Sequence, residues 1–541
     1  MTKLLYSIAI SIYILCGYSH TFAQQITGTI LNHKDEPIEQ ATILIKGSDK
    51  STSSDNNGKF VLDHTASKVT LQVSAIGYQP LTRTLESEHF SNGTYILKID
   101  NQNLDEVVVS GTLKAVSKLD SPIPVEVYSA SFFRANPTPT IFESLQNING
   151  VRPQINCSVC NTGDIHINGL EGPYTMVLID GMPIVSGLST VYGLNGIPQA
   201  LIERVEIVKG PASTLYGSEA VGGLINIITK TPGNAPKFSV ETFGTTWQEY
   251  SLDLGGKFGV GSAQSLLGIN YFNYANPLDK NGDNFTDVTL QDRFSFFNKW
   301  NFARRDNKTF SLAGRYVYED RWGGEMNWSR RYRGGDDVYG ESIYTKRWEL
   351  MGIYDLPGRE NLSLSFSANG HDQNSVYGDT KYLADQKIVF GQLTWHKTIK
   401  NHDLLTGLAY RYTYYDDNTP ATEDVSHTHL PGLFVQDEIT LHPQHKLLFG
   451  TRYDYNSIHG SILSPRINYK WNSKDKTHVL RIGAGNGYRI ANVFTEDHAA
   501  LTGARDVVFA GDLKPETSWN TNVNYVKKFY AVDGSVFGID A

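Results

Sequence analysis

The residues best suited to chemistry sit in QINCSVCNTGDIHINGLEG, from Gln154 to Gly172, where Cys157 and Cys160 are separated by two residues. That spacing serves a metal-ligand pair, a redox couple or a disulfide strap on a loop, and the stretch itself does not choose among them. Structural zinc has little to work with, because Asp164 and His166 are the only nearby ligands and there is no second CxxC. A second group is Arg321 to Ser342, RWGGEMNWSRRYRGGDDVYGES, where Arg321 and Arg331 interleave with Trp322, Trp328 and Tyr332. Read as a loop, it either offers stacking and cation-π contacts to a flat or anionic chelate or folds its aromatics under a solvated surface. In Glu423-Asp-Val-Ser-His-Thr-His429, also read as a long loop, His427 and His429 form an HxH pair that is a candidate for metal or haem contact. Asp279, Asn281, Asp283 and Asp287 have oxygen-ligand spacing but lack the glycine and closing glutamate of a calcium-binding loop, and read as a polar turn. HExxH, GxSxG and GxxxxGKS/T are all missing, so no covalent catalysis and no cofactor are expected.

What these groups face depends on the compartment and on the elements that carry them. Lys3, the apolar run from Leu4 to about Cys16 and the small-residue site at Thr21, Phe22 and Ala23 predict a secretory signal peptide over 1–23. The run is shorter than the roughly 18 to 20 residues that span a bilayer. A lipoprotein anchored at Cys16 is the alternative, against which stand the bulky Tyr13, Ile14 and Leu15. The rest of the chain has no long apolar helix, and the mean hydropathy of all 541 residues is -0.31. Yet the full chain of 541 residues carries 30 Tyr, 24 Phe, 8 Trp and 49 Gly. An exported, aromatic-rich chain without spanning helices predicts an outer-membrane barrel, whose strands alternate faces and so average to modest hydropathy; a large secreted all-β protein is the competitor. The formal net charge of -8 argues against nucleic acid as a partner.

Between Gln25 and about Asp100, short alternating segments such as Ala41 to Lys46 and Lys68 to Val73 are parted by turn clusters such as Ser54 to Gly58. This predicts a small antiparallel sandwich. The order of a GTI strand, PIEQATILIKG, DNNGKF and AIGY resembles the carboxypeptidase-regulatory-like domain, a transthyretin-like fold, here over 24–100. Leu104 to Gly111, LDEVVVSG, follows. It reads either as the last strand of the sandwich or as a segment that adds to another protein's sheet edge. Farther on come Leu145 to Val151, Ile165 to Gly169, VLIDGMP (Val177 to Pro183), IERVEIVKGP (Ile202 to Pro211), LYG (Leu215 to Gly217) and VGGLINIITK (Val221 to Lys230). In that order they resemble the plug domain of TonB-dependent outer-membrane receptors, placed over 112–233 as an α/β domain. The resemblance implies that Asp105, Glu106, Val107, Val108, Val109 and Ser110 fall where that family carries its TonB box, within 104–111. It also shows one departure, Asn168 where the family usually has arginine before Gly169. That loss leaves Arg204, with Glu206, as the expected latch pairing plug to wall.

From about Lys237 the pattern has period two. Leu362, Leu364, Phe366 and Ala368 alternate with Ser363, Ser365, Ser367 and Asn369, one face suited to lipid and the other to a wet lumen. FVQDE (Phe434 to Glu438), GTRYD (Gly450 to Asp454), SPR (Ser464 to Arg466), GYR (Gly487 to Arg489) and LKPE (Leu513 to Glu516) resemble the same family's barrel. The expected fold is therefore mainly β: a transthyretin-like sandwich, an α/β plug, and a transmembrane antiparallel barrel over 237–541. Roughly fifteen strands of about ten residues fit, against the roughly twenty-two of plugged outer-membrane transporters. The last residues, VFGIDA (Val536 to Ala541), do not end on an aromatic, and the barrel is expected to be incomplete at its C-terminus.

The resemblance implies an energised receptor that binds a scarce ligand outside and yields to TonB of the inner membrane, with outer-membrane lipid as its other partner. Gln154 to Asp164 and Ile184 to Asn195 are the plug loops expected on the outer face, which makes Asn156, Cys157, Cys160, Asn161, Ser186 and Tyr192 candidate ligand contacts beside Arg321, Trp322, Trp328 and Arg331. A metal chelate such as iron-siderophore, haem or cobalamin fits better than a glycan, whose importers in the family are much longer. Export to an oxidising compartment makes a Cys157–Cys160 disulfide the default, with metal contact as the other reading. So short a loop gains only about 2 kcal/mol of stability on the chain-entropy account, so shaping the loop is the better reason for the bond. The alternatives are a copper or zinc importer using these cysteines, and a receptor or adhesin that keeps the fold without transporting.

Overall fold

The computed structural model describes residues 24–540 apart from 98–106, 158–161, 186–187, 189–192, 305–307, 491–510, 531–535 and scattered shorter loop positions. Residues 1–23, with the expected signal peptide, lie outside the described residues.

The N-terminal domain is a sandwich of two sheets. One orders Lys59–His64, Gln24–Leu31 and Gly93–Ile96; the other orders Ser51–Ser53, Thr42–Ile45, Lys68–Ser74 and Leu81–Glu86. Strict alternation puts Ile26, Ile30, Ile43, Leu71 and Val73 in one core around Tyr95. The Tyr95 ring lies so close over the paired Gly28 and Gly93 that a Cβ on Gly28 would sit 2.7 Å from it.

The plug centres on a five-stranded sheet ordered Glu126–Ser129, Ile202–Lys209, Gly223–Thr229, Thr175–Ile179 and Met182–Val185, with the third and fourth strands parallel. Strands covered on both faces read as continuous apolar runs, as in TMVLI and GLINIIT. One face, with Val177, Val205, Ile207, Ile225 and Ile227, joins the main core; the other, with Met176, Leu178, Val208 and Leu224, receives Val108, Ile123 and Val125.

The wall is a sheet of fifteen strands in chain order, from Phe238–Gly244 to Val536–Asp540. Leu364, Leu408, Leu433, Phe449 and Leu463 are exposed on its outer face, while Asn369, Gln436, Arg452 and Ser464 point inward and are buried. The lumen-facing polar row is buried because the plug fills the lumen. Several strands exceed the roughly 9 to 11 residues that cross a bilayer: Thr380–Ile399 has 20 and Ser426–His442 has 17.

Candidate functional site

The segment expected to recruit TonB is docked on the plug. Asp105 and Glu106 lie outside the described residues, and Val107–Val108 pairs with Val116–Ser117. Val108 is fully buried among Ile123, Val125, Leu178, Val208 and Leu448. Glu206, fully buried, turns one carboxylate oxygen, Oε2, to this segment. It accepts from Val109 N at 2.9 Å, Ser110 N at 2.9 Å and Ser110 Oγ at 2.7 Å. Its other oxygen, Oε1, accepts from Arg204 Nε at 2.9 Å and pairs with Arg204 Nη2 at 2.7 Å. Asn226, opposite Glu206 in the ladder, donates to Ser110 Oγ at 2.9 Å, and Tyr216 Oη donates to Ser110 O at 3.0 Å. Burial first, and then the Glu206 charge, push the Tyr216 phenol up, so it stays a donor.

The expected plug-to-wall latch is corrected by this geometry. Arg204 bonds Glu206, which shares its face because residues two apart on a strand point the same way, and approaches its neighbour Glu203 at 3.5 Å where the register is irregular, so both partners lie on its own strand. The wall holds the plug the other way round. Wall arginines reach in to plug backbone carbonyls: Arg315 Nη2 to Gly193 at 2.8 Å, Arg452 Nη1 to Leu215 at 3.3 Å, Arg466 Nη2 to Gly111 at 3.3 Å, and Arg481 Nε to Ser121 at 2.9 Å. Each is buried. Arg315 is shared with the Glu349 carboxylate, which also takes Arg347, and Arg452 with Asp454, which Tyr488 Oη reaches at 2.8 Å. These anchors were not singled out from sequence, although Arg452 and Arg466 stand in the GTRYD and SPR motifs on the inward parity of their strands. Where arginine was missing, Asn168 sits in the left-handed region at φ 51 and donates its N–H to Gly150 O at 2.8 Å, making a turn rather than a latch.

The candidate ligand face is placed in part. Asn156 and Cys157 end the strand Val151–Cys157, whose register closes with Cys157 opposite Thr162. Cys160, Asn161, Ser186 and Tyr192 lie outside the described residues. In the second plug loop Leu188 is buried against Ile343, Tyr377, Tyr382 and Tyr415 of the wall. Asp164 and His166 are spent on each other at 2.9 Å, and Asp164 also accepts from Gly172 N at 3.0 Å.

The ends of two expected loops prove to be strand. Arg321 and Trp322 belong to Phe310–Gly324, and Arg321 is only 2% exposed, paired with Glu319 at 2.9 Å in a wall network with Arg293. Trp322 packs beside Phe272, Tyr274 and Leu290 and lies under Arg330, whose guanidinium is 5.5 Å from its ring. Past the strand, Trp328 tucks over Gly340, while Arg331 is exposed over Tyr332 at 4.5 Å. The structure thus brings Trp322, Trp328 and Arg331 to one rim and withdraws Arg321 from it. His427 and His429 lie in Ser426–His442 rather than in a loop. Their odd positions share the outer face with Leu433 and Val435, and they bond Tyr412 Oη at 2.8 Å and Tyr410 Oη at 2.7 Å, as in an interfacial aromatic girdle. Asp279 and Asp283 cap backbone N–H groups of their own turn, Gly282 N to Asp279 at 2.7 Å and Phe285 N to Asp283 at 2.8 Å.

Comparison with known proteins settles the family. The TonB-dependent receptor plug domain matches residues 117–224, the TonB-dependent receptor-like β-barrel residues 242–541, and the CarboxypepD_reg-like domain residues 26–109. The chain belongs to the TonB-dependent receptor family. It is similar to the iron-regulated outer membrane virulence protein of Vibrio cholerae, 26% identical over 392 residues, which cover 67% of this chain and 57% of that protein. The chain therefore matches little more than half the length of this curated relative. Its fold is that of the siderophore receptor PirA from Pseudomonas aeruginosa (TM-score 0.57, 18% identity, 77% of this chain and 74% of that one). The siderophore receptor PiuA from Acinetobacter baumannii is equally similar (TM-score 0.60, 14% identity, 79% and 72%). With its apolar outer face, this TonB-dependent receptor is an outer-membrane protein.

Proposed function

We propose that this receptor takes up a scarce metal chelate, an iron-siderophore, haem or cobalamin, and that TonB drives the uptake by pairing with Asp105 to Ser110. The observation that carries this reading is the docking of Val107 to Ser110 on Glu206. A segment held by hydrogen bonds and one buried valine can be given up without unfolding the plug sheet, and its two-valine edge suits strand addition. The names of the relatives, an iron-regulated outer membrane protein and siderophore receptors, support an iron chelate. The proposed ligand face combines the plug loops bearing Asn156, Cys157, Cys160, Asn161, Ser186 and Tyr192 with Trp322, Trp328 and Arg331 of the rim. In that face a Cys157–Cys160 disulfide would shape the first loop.

The test is deletion of Val107 to Ser110 in the full-length receptor, with labelled chelate. Uptake is expected to vanish while surface binding survives. Unchanged uptake overturns the transport reading.

A further inference from the structure

Glu206 Oε2 accepts three hydrogen bonds, and all three donors belong to the segment it holds. Departure of that segment therefore empties one side of a fully buried carboxylate, while Arg204 keeps the other. Ser110 is held from four directions. Its N–H and O–H go to Glu206, its hydroxyl oxygen accepts from Asn226, and its carbonyl accepts from Tyr216. Tyr216 is a fixed post, because the short helix Ser213–Tyr216 is fastened to the wall: Thr214 Oγ1 donates to Ser464 O at 3.0 Å, and Arg452 donates to Leu215 O. Three residues beyond Ser110, Leu113 is held in the left-handed region at φ 56 with its N–H on Val109 O at 2.9 Å. Left-handed backbone is unfavourable for leucine, so the turn that follows the docked segment is strained while the segment stays down.

We propose that Glu206 and Tyr216 are positioning residues that set how often Val107 to Ser110 leaves the plug. They form a clasp on Ser110 that keeps the strand withheld and makes its release the controlled step. This rests on the uptake reading for the segment's purpose, although the clasp itself can be measured without TonB.

Hydrogen exchange over 107–112 tests it in the full-length receptor in liposomes, comparing wild type with Glu206→Gln, Tyr216→Phe and the control Glu203→Gln, which sits beside Arg204 without touching the segment. Loss of one such bond at a buried site is expected to speed exchange of the Val109 and Ser110 amides about fivefold to tenfold in the first two variants, and not in the control. Unchanged exchange in both overturns the clasp. So does an equal rise across 202–209 and 223–229, which would assign the effect to a loosened plug. Tyr216→Phe decides the matter alone if Glu206→Gln does not fold. Faster exchange in variants that do not bind the isolated periplasmic domain of TonB supports the clasp and removes the uptake reading.

Discussion

Lys299, on the inward face of the wall strand Leu290–Phe302, holds its ammonium 2.9 Å from the Asp180 carboxylate of a plug turn. Asp180 is in the left-handed region at φ 50, and the same carboxylate accepts from Thr229 N at 2.8 Å and Thr229 Oγ1 at 2.7 Å. Plug and wall thus share a nearly buried ion pair, with side chains 9% and 15% exposed.

Asp180→Asn keeps the turn, since asparagine tolerates this backbone, but takes the counter-charge from a nearly buried ammonium that keeps only the neutral Thr229 Oγ1 at 2.9 Å and the asparagine amide near it. The expected cost is about 3 kcal/mol in plug stability. Lys299→Met combined with Asp180→Asn should recover part of that loss, because no unpaired charge remains. Denaturant-dependent hydrogen exchange of the 175–179 amides, taken around the double-mutant cycle, measures both.

Gly268 faces Leu201 of the plug so closely that a Cβ would meet Leu201 Cδ1 at 2.2 Å and Pro198 Cγ at 3.3 Å. Gly268→Ala is expected to destabilise plug docking by about 1 to 3 kcal/mol through overpacking. Leu201→Ala in the same chain should relieve the clash. Thermal melts of the three variants check the pairing, and additive losses would show that the two residues do not compete for the same space.

Glu143, in the plug helix Ile141–Ser144, has its carboxyl pushed up from the ordinary 4.5 to about 7, by burial first and then by the Glu249 charge, with Arg293 opposing. A carboxyl raised on folding binds its proton more tightly in the folded state. Its contribution to stability is full below pH 4.5, declines as pH rises toward 7, and is gone above that. Plug melting temperature should fall over this window in wild type. In Glu143→Gln that part of the slope should disappear, and an identical slope in both would refute the assignment.

Arg331 and Arg321 should behave oppositely. Arg331→Ala, at an exposed position over Tyr332, is expected to weaken chelate binding about tenfold with an unchanged melting temperature. Arg321→Ala takes from the buried Glu319 carboxylate the nearer of its two arginines, leaving Arg293 at 3.5 Å, and should lower stability by about 2 kcal/mol. Ligand titration alongside thermal melts separates the two effects.

The elements were legible in the sequence where one period runs unbroken. Alternation along Leu447 to Tyr455 gives both faces of that wall strand, and the apolar runs TMVLI and GLINIIT give the doubly covered plug strands. Legibility failed at strand ends. Arg321, His427 and His429 sit among Gly, Ser and charged residues that read as loop, yet the ladder continues through them, because backbone pairing with a neighbouring strand needs no particular side chain. Pairing partners were the other gap. That Glu206 is 97 residues from Val109 in sequence and hydrogen-bonded to it in space is a property of the fold, and nothing in the IERVEIVKGP motif announces it.

The wall arginines that end on carbonyls of Gly193, Leu215, Gly111 and Ser121 grip atoms that every amino acid possesses. A fastening made to the main chain is indifferent to the side chains above it. At these four points the plug can change its side chains and keep its seat in the barrel, whereas at Asp180 and Leu201, held through their side chains, it cannot.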